Sequence, residues 1–284
     1  MATPGEASHH RMAVEIRNRR CGAPPRNRLR APTSPHDSRA YTEFPEPRLR
    51  WEGARRGTCC RRLLMSIQAQ HSLRAGVVAI APAILLAALS YHPYLPGLPP
   101  NIDALVAEVT ADPTRWGVVH LASGVASAGL AVAFLAIRSH LHGLGEDRWS
   151  AAALPFVVIG STLYAMLPAM EFAPLAASET GGDVGATQNA LLRWFIPLLI
   201  AAAVTFAVGM VGFAISVSRS GLLSPWLTWV VVVALLVMAL SRVVPLSAVQ
   251  FYVHGVAALV AMLPVAYSMW KHPTASVPDT QRAV

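Results

Sequence analysis

Two histidines, His120 and His254, lie within stretches otherwise apolar enough to cross a bilayer. Ionisable groups are expensive in hydrocarbon, a central charge costing about 2.5 to 3.5 kcal/mol on insertion scales, so each such residue marks a candidate site. His120 shares a helical face with Ser123, Gly124, Ser127 and Ala131, and His254 shares one with Gln250, Ala257, Ala258 and Ala261. Small residues at three- and four-residue spacing are the faces on which membrane helices pack, so both imidazoles are expected to point inward. Tyr164 and Glu171 fall at helical spacing with Ser161 and Pro168, while His92, Arg193 and Arg242 lie near the ends of three further apolar stretches. The pattern predicts one polar site built from His92, His120, Tyr164, Glu171, Arg193, Arg242, Gln250 and His254. It places His120 level with His254 and offers Arg242 or Arg193 as partner to Glu171.

Such a set suits three chemistries, taken in order of preference. The first is a proton- or ion-responsive site in a non-enzymatic transporter, sensor or assembly protein, with histidine as the group that switches near neutral pH. A second reading makes His120, His254 and Glu171 a two-histidine, one-carboxylate set for Zn or Fe in a membrane hydrolase or oxidoreductase. In the third, His120 and His254 are axial ligands of a single b-type haem between the second and sixth spans, where Gly124 and Gly255 leave room for the macrocycle. A bland account competes with all three: a neutral histidine bonded across helices, worth about 0.6 kcal/mol, needs no ligand. Absence of a cofactor is the leading expectation. The chain carries no Gly-rich phosphate loop, His-Glu-x-x-His or nucleophile elbow, so the reading leans away from an enzyme.

The elements that must position these residues are legible from composition. Hydrophobic residues make up 54% of the chain and charged residues only 13%, about half the charge of an ordinary soluble domain. Six apolar stretches, 75–92, 116–137, 151–172, 194–217, 226–244 and 251–270, approach the roughly 20 residues that span a bilayer. The expected fold is therefore an all-α integral membrane protein, a six-transmembrane-helix bundle. Between the first two spans, Asn101 can cap a short amphipathic helix with Ile102, Leu105, Val106 and Val109 along one side, expected to lie over the bundle as an extracytoplasmic lid. Residues 178–185 read as a flexible polar loop.

Charge sets the orientation. Arg74, Arg138, Arg148, Arg219 and Lys271 flank the spans on one side, against Arg115, Arg193 and Arg242 on the other, which places both termini in the cytoplasm. Trp116, Trp194, Trp226 and Trp270 at span ends read as interface anchors. The net charge of +8 does not signal nucleic acid, because residues 1–64 hold 14 Arg against 6 acidic residues while the remainder is balanced at 9 against 9. That Arg- and Pro-rich segment, which holds all three cysteines, reads as a disordered tail. With one Lys against 22 Arg the gene is GC-rich, and Met65 is a candidate true start. Residues 65–272 form the membrane domain and 273–284 a second disordered cytoplasmic tail. The expected setting is a bacterial inner membrane, with the lipid bilayer as partner and a small molecule, ion or lipid as ligand on the outer side.

Overall fold

The computed structural model describes residues 52–97, 100–146 and 148–272. Residues 1–51 of the predicted tail 1–64, and the predicted tail 273–284, lie outside the described residues. Among the described residues the structure is helical without strands: α1 (Glu52–Tyr91), α2 (Ile102–Ala111), α3 (Pro113–Gly143), α4 (Arg148–Met170), α5 (Phe172–Thr180), α6 (Val184–Ser220), α7 (Pro225–Ser241) and α8 (His254–Lys271), with a π-helical turn at Val249–Val253.

Five helical segments are long and apolar enough to cross a membrane: Ala69–Tyr91 of α1, all of α3, Arg148–Thr180 comprising α4 and α5, all of α6, and Val249–Lys271. The remaining predicted span is α7, whose 17 residues rise only about 25 Å against a hydrocarbon core of about 30 Å. It stops early because Pro245 disfavours helix at Val244, and the chain turns through 242–245 instead. The helices carry their apolar side chains outward as well as inward, with Ile200, Val204, Trp226 and Trp270 all exposed. That surface is built to meet lipid rather than water.

The long helices form a closed ring in which α1 packs on α3, α3 on α4, α4 on α6, α6 on α7, α7 on α8 and α8 back on α1. Glycines set the closest approaches. A Cβ on Gly209 would lie 2.5 Å from Val157 Cγ2 and 2.9 Å from its amide nitrogen, and one on Gly160 would lie 2.7 Å from the Phe206 nitrogen. Helices in lipid associate through such contacts because no hydrophobic drive separates side chain from solvent. Toward the Arg74 end of α1 and the Lys271 end of α8 the ring is filled: Phe134 and Phe213 meet at 4.8 Å between centroids, with Met210, Met262 and Met269 buried in the same core. Ser268 of α8 donates to the Leu222 carbonyl at 3.2 Å, and Arg74 of α1 to Ser139 of α3 at 3.1 Å, tying that end together.

Several boundaries differ from expectation. The first helix begins at Glu52, inside the segment read as tail, since 52–64 contains no proline to stop it. The predicted loop at 178–185 contracts to 181–183. Gly181, at φ 74°, ends α5 by donating to the Ala177 and Ser178 carbonyls, and Asp183 Oδ1 then caps α6 by accepting from the Ala186 amide at 2.8 Å. The short helix predicted after Asn101 is present as α2, with Asn101 Oδ1 accepting from the Ala104 amide at 3.1 Å. Its Leu105 and Val109 are buried against Trp116, Leu175 and Val184. Trp116 is thus a packing residue, 1% exposed, and not an interface anchor.

Candidate functional site

Beneath α2 and α5 the ring is not filled, and a cavity of about 470 Å³ occupies its interior. The sequence of α4 and α5 explains one wall. Pro168 cannot donate to the carbonyl of Tyr164, the helix ends at Met170, and Glu171 forms the turn into α5. The Trp116 indole donates to the Glu171 carbonyl at 3.3 Å, fixing that turn against α3. The Glu171 carboxylate is buried and faces the cavity, where Gln188 Nε2 donates to its Oε1 at 3.1 Å. Glu171 Oε2, Gln188 Oε1, the Tyr164 hydroxyl and Ser123 Oγ are buried without hydrogen-bond partners, and all four side chains line the cavity. Each such atom left unsatisfied costs about 1 to 3 kcal/mol.

A second wall is aromatic. His92 and His120 meet edge-on with ring centroids 5.0 Å apart, Trp116 lies 4.4 Å from His120, and Phe251 lies 4.5 Å from His92. His92 Nδ1 donates to the Pro93 carbonyl and His120 Nδ1 to the Trp116 carbonyl, both at 2.7 Å. This network assigns the tautomers and leaves each Nε2 as an acceptor.

Arg242 forms the third wall. It caps the short α7, and its guanidinium carbon lies 4.0 Å over the Tyr164 ring, a cation–π contact. Its Nη2 is 2.9 Å from His254 Nε2, and its Nε is 3.2 Å from both ring nitrogens. His254 is fully buried behind it, with Nδ1 2.9 Å from the Met238 carbonyl and 3.1 Å from Ser241 Oγ. Arginine can only donate, so the imidazole accepts on Nε2 and donates from Nδ1. Gln250 lines the cavity and ties the following loop by donating to the Val244 carbonyl at 2.9 Å.

Six of the eight expected residues therefore line one cavity: His92, His120, Tyr164, Glu171, Arg242 and Gln250. Arg193 does not, being exposed and turned over the ring of Trp194, and Glu171 takes Gln188 as its partner rather than a cation. His254 stands one layer behind Arg242. The pairing of His120 with His254 at one level is also corrected. Gly124 abuts Ala165 and Pro168, so the antiparallel register sets His120 near Glu171. His254 instead faces Phe206, which is edge-on to Tyr164, seven residues or about 10 Å further along α4.

These placements bear on the cofactor expectations. Among the described residues no three His, Cys, Asp or Glu side chains are grouped to hold a metal ion, so His120, His254 and Glu171 do not form a shared ligand set. Both nitrogens of His254 are already engaged. The haem reading needs the second and sixth spans to face each other, but α1 packs between them. Gly255, expected to make room for a macrocycle, lies against α1, where a Cβ in its place would meet Leu86 Cδ1 at 2.7 Å.

Gln188 is the main residue missed. It lies before the expected start of the fourth span at Trp194, although Gln188, Leu192, Phe195 and Leu199 repeat at four, three and four residues, the spacing of one helical face. All four line the cavity. No protein family, curated protein or solved structure matches the chain. Function has to be read from the cavity itself.

Proposed function

We propose that this chain is a six-span protein of a bacterial inner membrane, with α7 as a short sixth span, that binds a ligand in the cavity beneath α2 in a transport, sensing or assembly role. The observation that carries this reading is the convergence of four unpartnered polar atoms and a guanidinium on one cavity. Its 470 Å³ falls within the roughly 300 to 1,000 Å³ of small-molecule sites. Buried polar groups without partners are rare unless something else satisfies them. Arg74, Arg138, Arg148, Arg219 and Lys271 border the opposite end of the helices, which supports a cytoplasmic location for that end and an outward-facing cavity.

Native mass spectrometry of the full chain, released gently from its membrane, tests the reading. The wild type is expected to carry an additional small-molecule mass that Ser123→Phe, which fills the cavity, loses and Val256→Phe, on the outer apolar surface, keeps. A bare wild-type mass, or equal retention in all three proteins, would overturn it.

A further inference from the structure

Arg242 lacks an anion of its own. Its partners are the imidazole of His254 and the face of Tyr164, and among the described residues no carboxylate pairs with it. Glu171, the acid on the cavity wall, accepts from Gln188 instead, and its Cα is seven residues, about 10 Å of helical rise, from that of Tyr164. Arginine keeps its charge in essentially every protein environment. His254 holds the Nε and Nη2 side of the guanidinium, which leaves Nη1 and the second Nη2 hydrogen as a fork directed away from it. Two such donors match the spacing of two oxygens on a carboxylate or phosphate. The unpartnered Tyr164 hydroxyl is a third donor on the same wall.

The shortness of α7 decides how such an anion arrives. The helix runs antiparallel to α6 after the turn at 221–224, so its 17 residues cover α6 only from Ser220 back to about Val204. Beyond that level neither α8 nor the π-helical turn packs closely on α6. Ile200 and Val204 are 57% and 58% exposed and Val243 is 62% exposed, yet all three also line the cavity. The opening therefore faces sideways, through aliphatic side chains, into what would be lipid. A water-soluble ion gains nothing from such an approach. An amphiphile does, because its chain need never leave hydrocarbon.

We propose that the cavity takes a single-chain anionic amphiphile from the bilayer, its carboxylate or phosphate head on Arg242 and Tyr164 and its alkyl chain leaving between Ile200 and Val243. Positioning of the head falls to His254, which orients the guanidinium without touching the ligand. This inference rests on the cavity being a binding site, and adds the class of ligand and its route.

Equilibrium binding to the full chain in phosphatidylcholine nanodiscs tests it, with laurate, dodecyl phosphate and dodecyltrimethylammonium as probes. The two anions are expected to bind saturably at one site and the cation at least tenfold more weakly. Arg242→Gln should weaken the anions at least tenfold, while Arg242→Lys recovers part of the loss. Ile200→Trp and Val243→Trp change the exposed apolar rim of the cavity and leave Arg242 and Tyr164 in place, so they bear on the route even where Arg242→Gln fails to fold, and each should weaken both anions. Whichever anion binds more tightly identifies the head as carboxylate or phosphate. Binding of the cation as tight as that of laurate, or anion binding unchanged in the Arg242 and portal variants, would overturn the proposal. A wild-type chain that still carries a small-molecule mass sensitive to Ser123→Phe but not displaced by laurate would refute this inference alone and leave the binding site standing.

Discussion

The two ends of the helical ring differ in what fills them. Toward the end bordered by Arg74 and Lys271, phenylalanine and methionine interlock across glycine-mediated contacts. Toward α2, the interior is lined by histidine, glutamate, glutamine, tyrosine and arginine, several with atoms that no other side chain satisfies. Close packing is a leading cohesive term for helices in lipid, so the first end holds the ring closed. The second end can then carry polar groups whose burial does not add to stability. The contrast separates a region that holds the ring together from one in which cohesion gives way to polar groups around a cavity.

Substitutions can break this contrast, and the largest effect is expected at Gly209. Gly209→Leu would drive a side chain into Val157, including its backbone nitrogen 2.9 Å from a built Cβ, forcing α4 and α6 apart; the expected result is loss of monodisperse protein on size-exclusion chromatography. Next comes Phe213→Ala, which removes a fully buried ring paired with Phe134 and should cost about 3 to 5 kcal/mol by denaturant titration in mixed micelles. Asp183→Ala removes the cap at the start of α6 and should cost about 1 kcal/mol in the same titration. At the cavity, Ser123→Ala deletes a hydroxyl with no partner, and stability should change by less than about 0.5 kcal/mol or rise slightly. A loss of 2 kcal/mol or more at Ser123 would mean that the cavity wall is as cohesive as the packed end, and the contrast would fail.

The sequence makes the two ends unequally legible. Apolar length and small-residue spacing identify the helices and their inward faces, because lipid solvation imposes both on any spanning segment. The helix boundaries are less visible, since polar flanks such as 184–193 continue α6 through good capping rather than through hydropathy. Within the site, His92, His120, Glu171 and Arg242 stand out as costly residues in apolar surroundings. Their grouping does not follow from depth alone: Arg193 shares the end but turns outward, and His254 shares the face but lies two turns away from His120. Neighbour order around the ring decided these cases. The interposition of α1 between α3 and α8, which separates the two histidines, is a property of the tertiary arrangement that no single helix records.

The lateral aperture exists because Ser241 is followed by Arg242 and, three residues later, by Pro245, so the edge of α6 is left uncovered above Val204. Inserting four helix-forming residues after Ser241 would lift that edge by about 6 Å, raising the guanidinium away from Tyr164 and shuttering the aperture without changing any side chain that lines it. Access to the interior is in that sense metered by one helical turn, and a chain with an unaltered set of polar residues but a longer α7 would be sealed from its membrane.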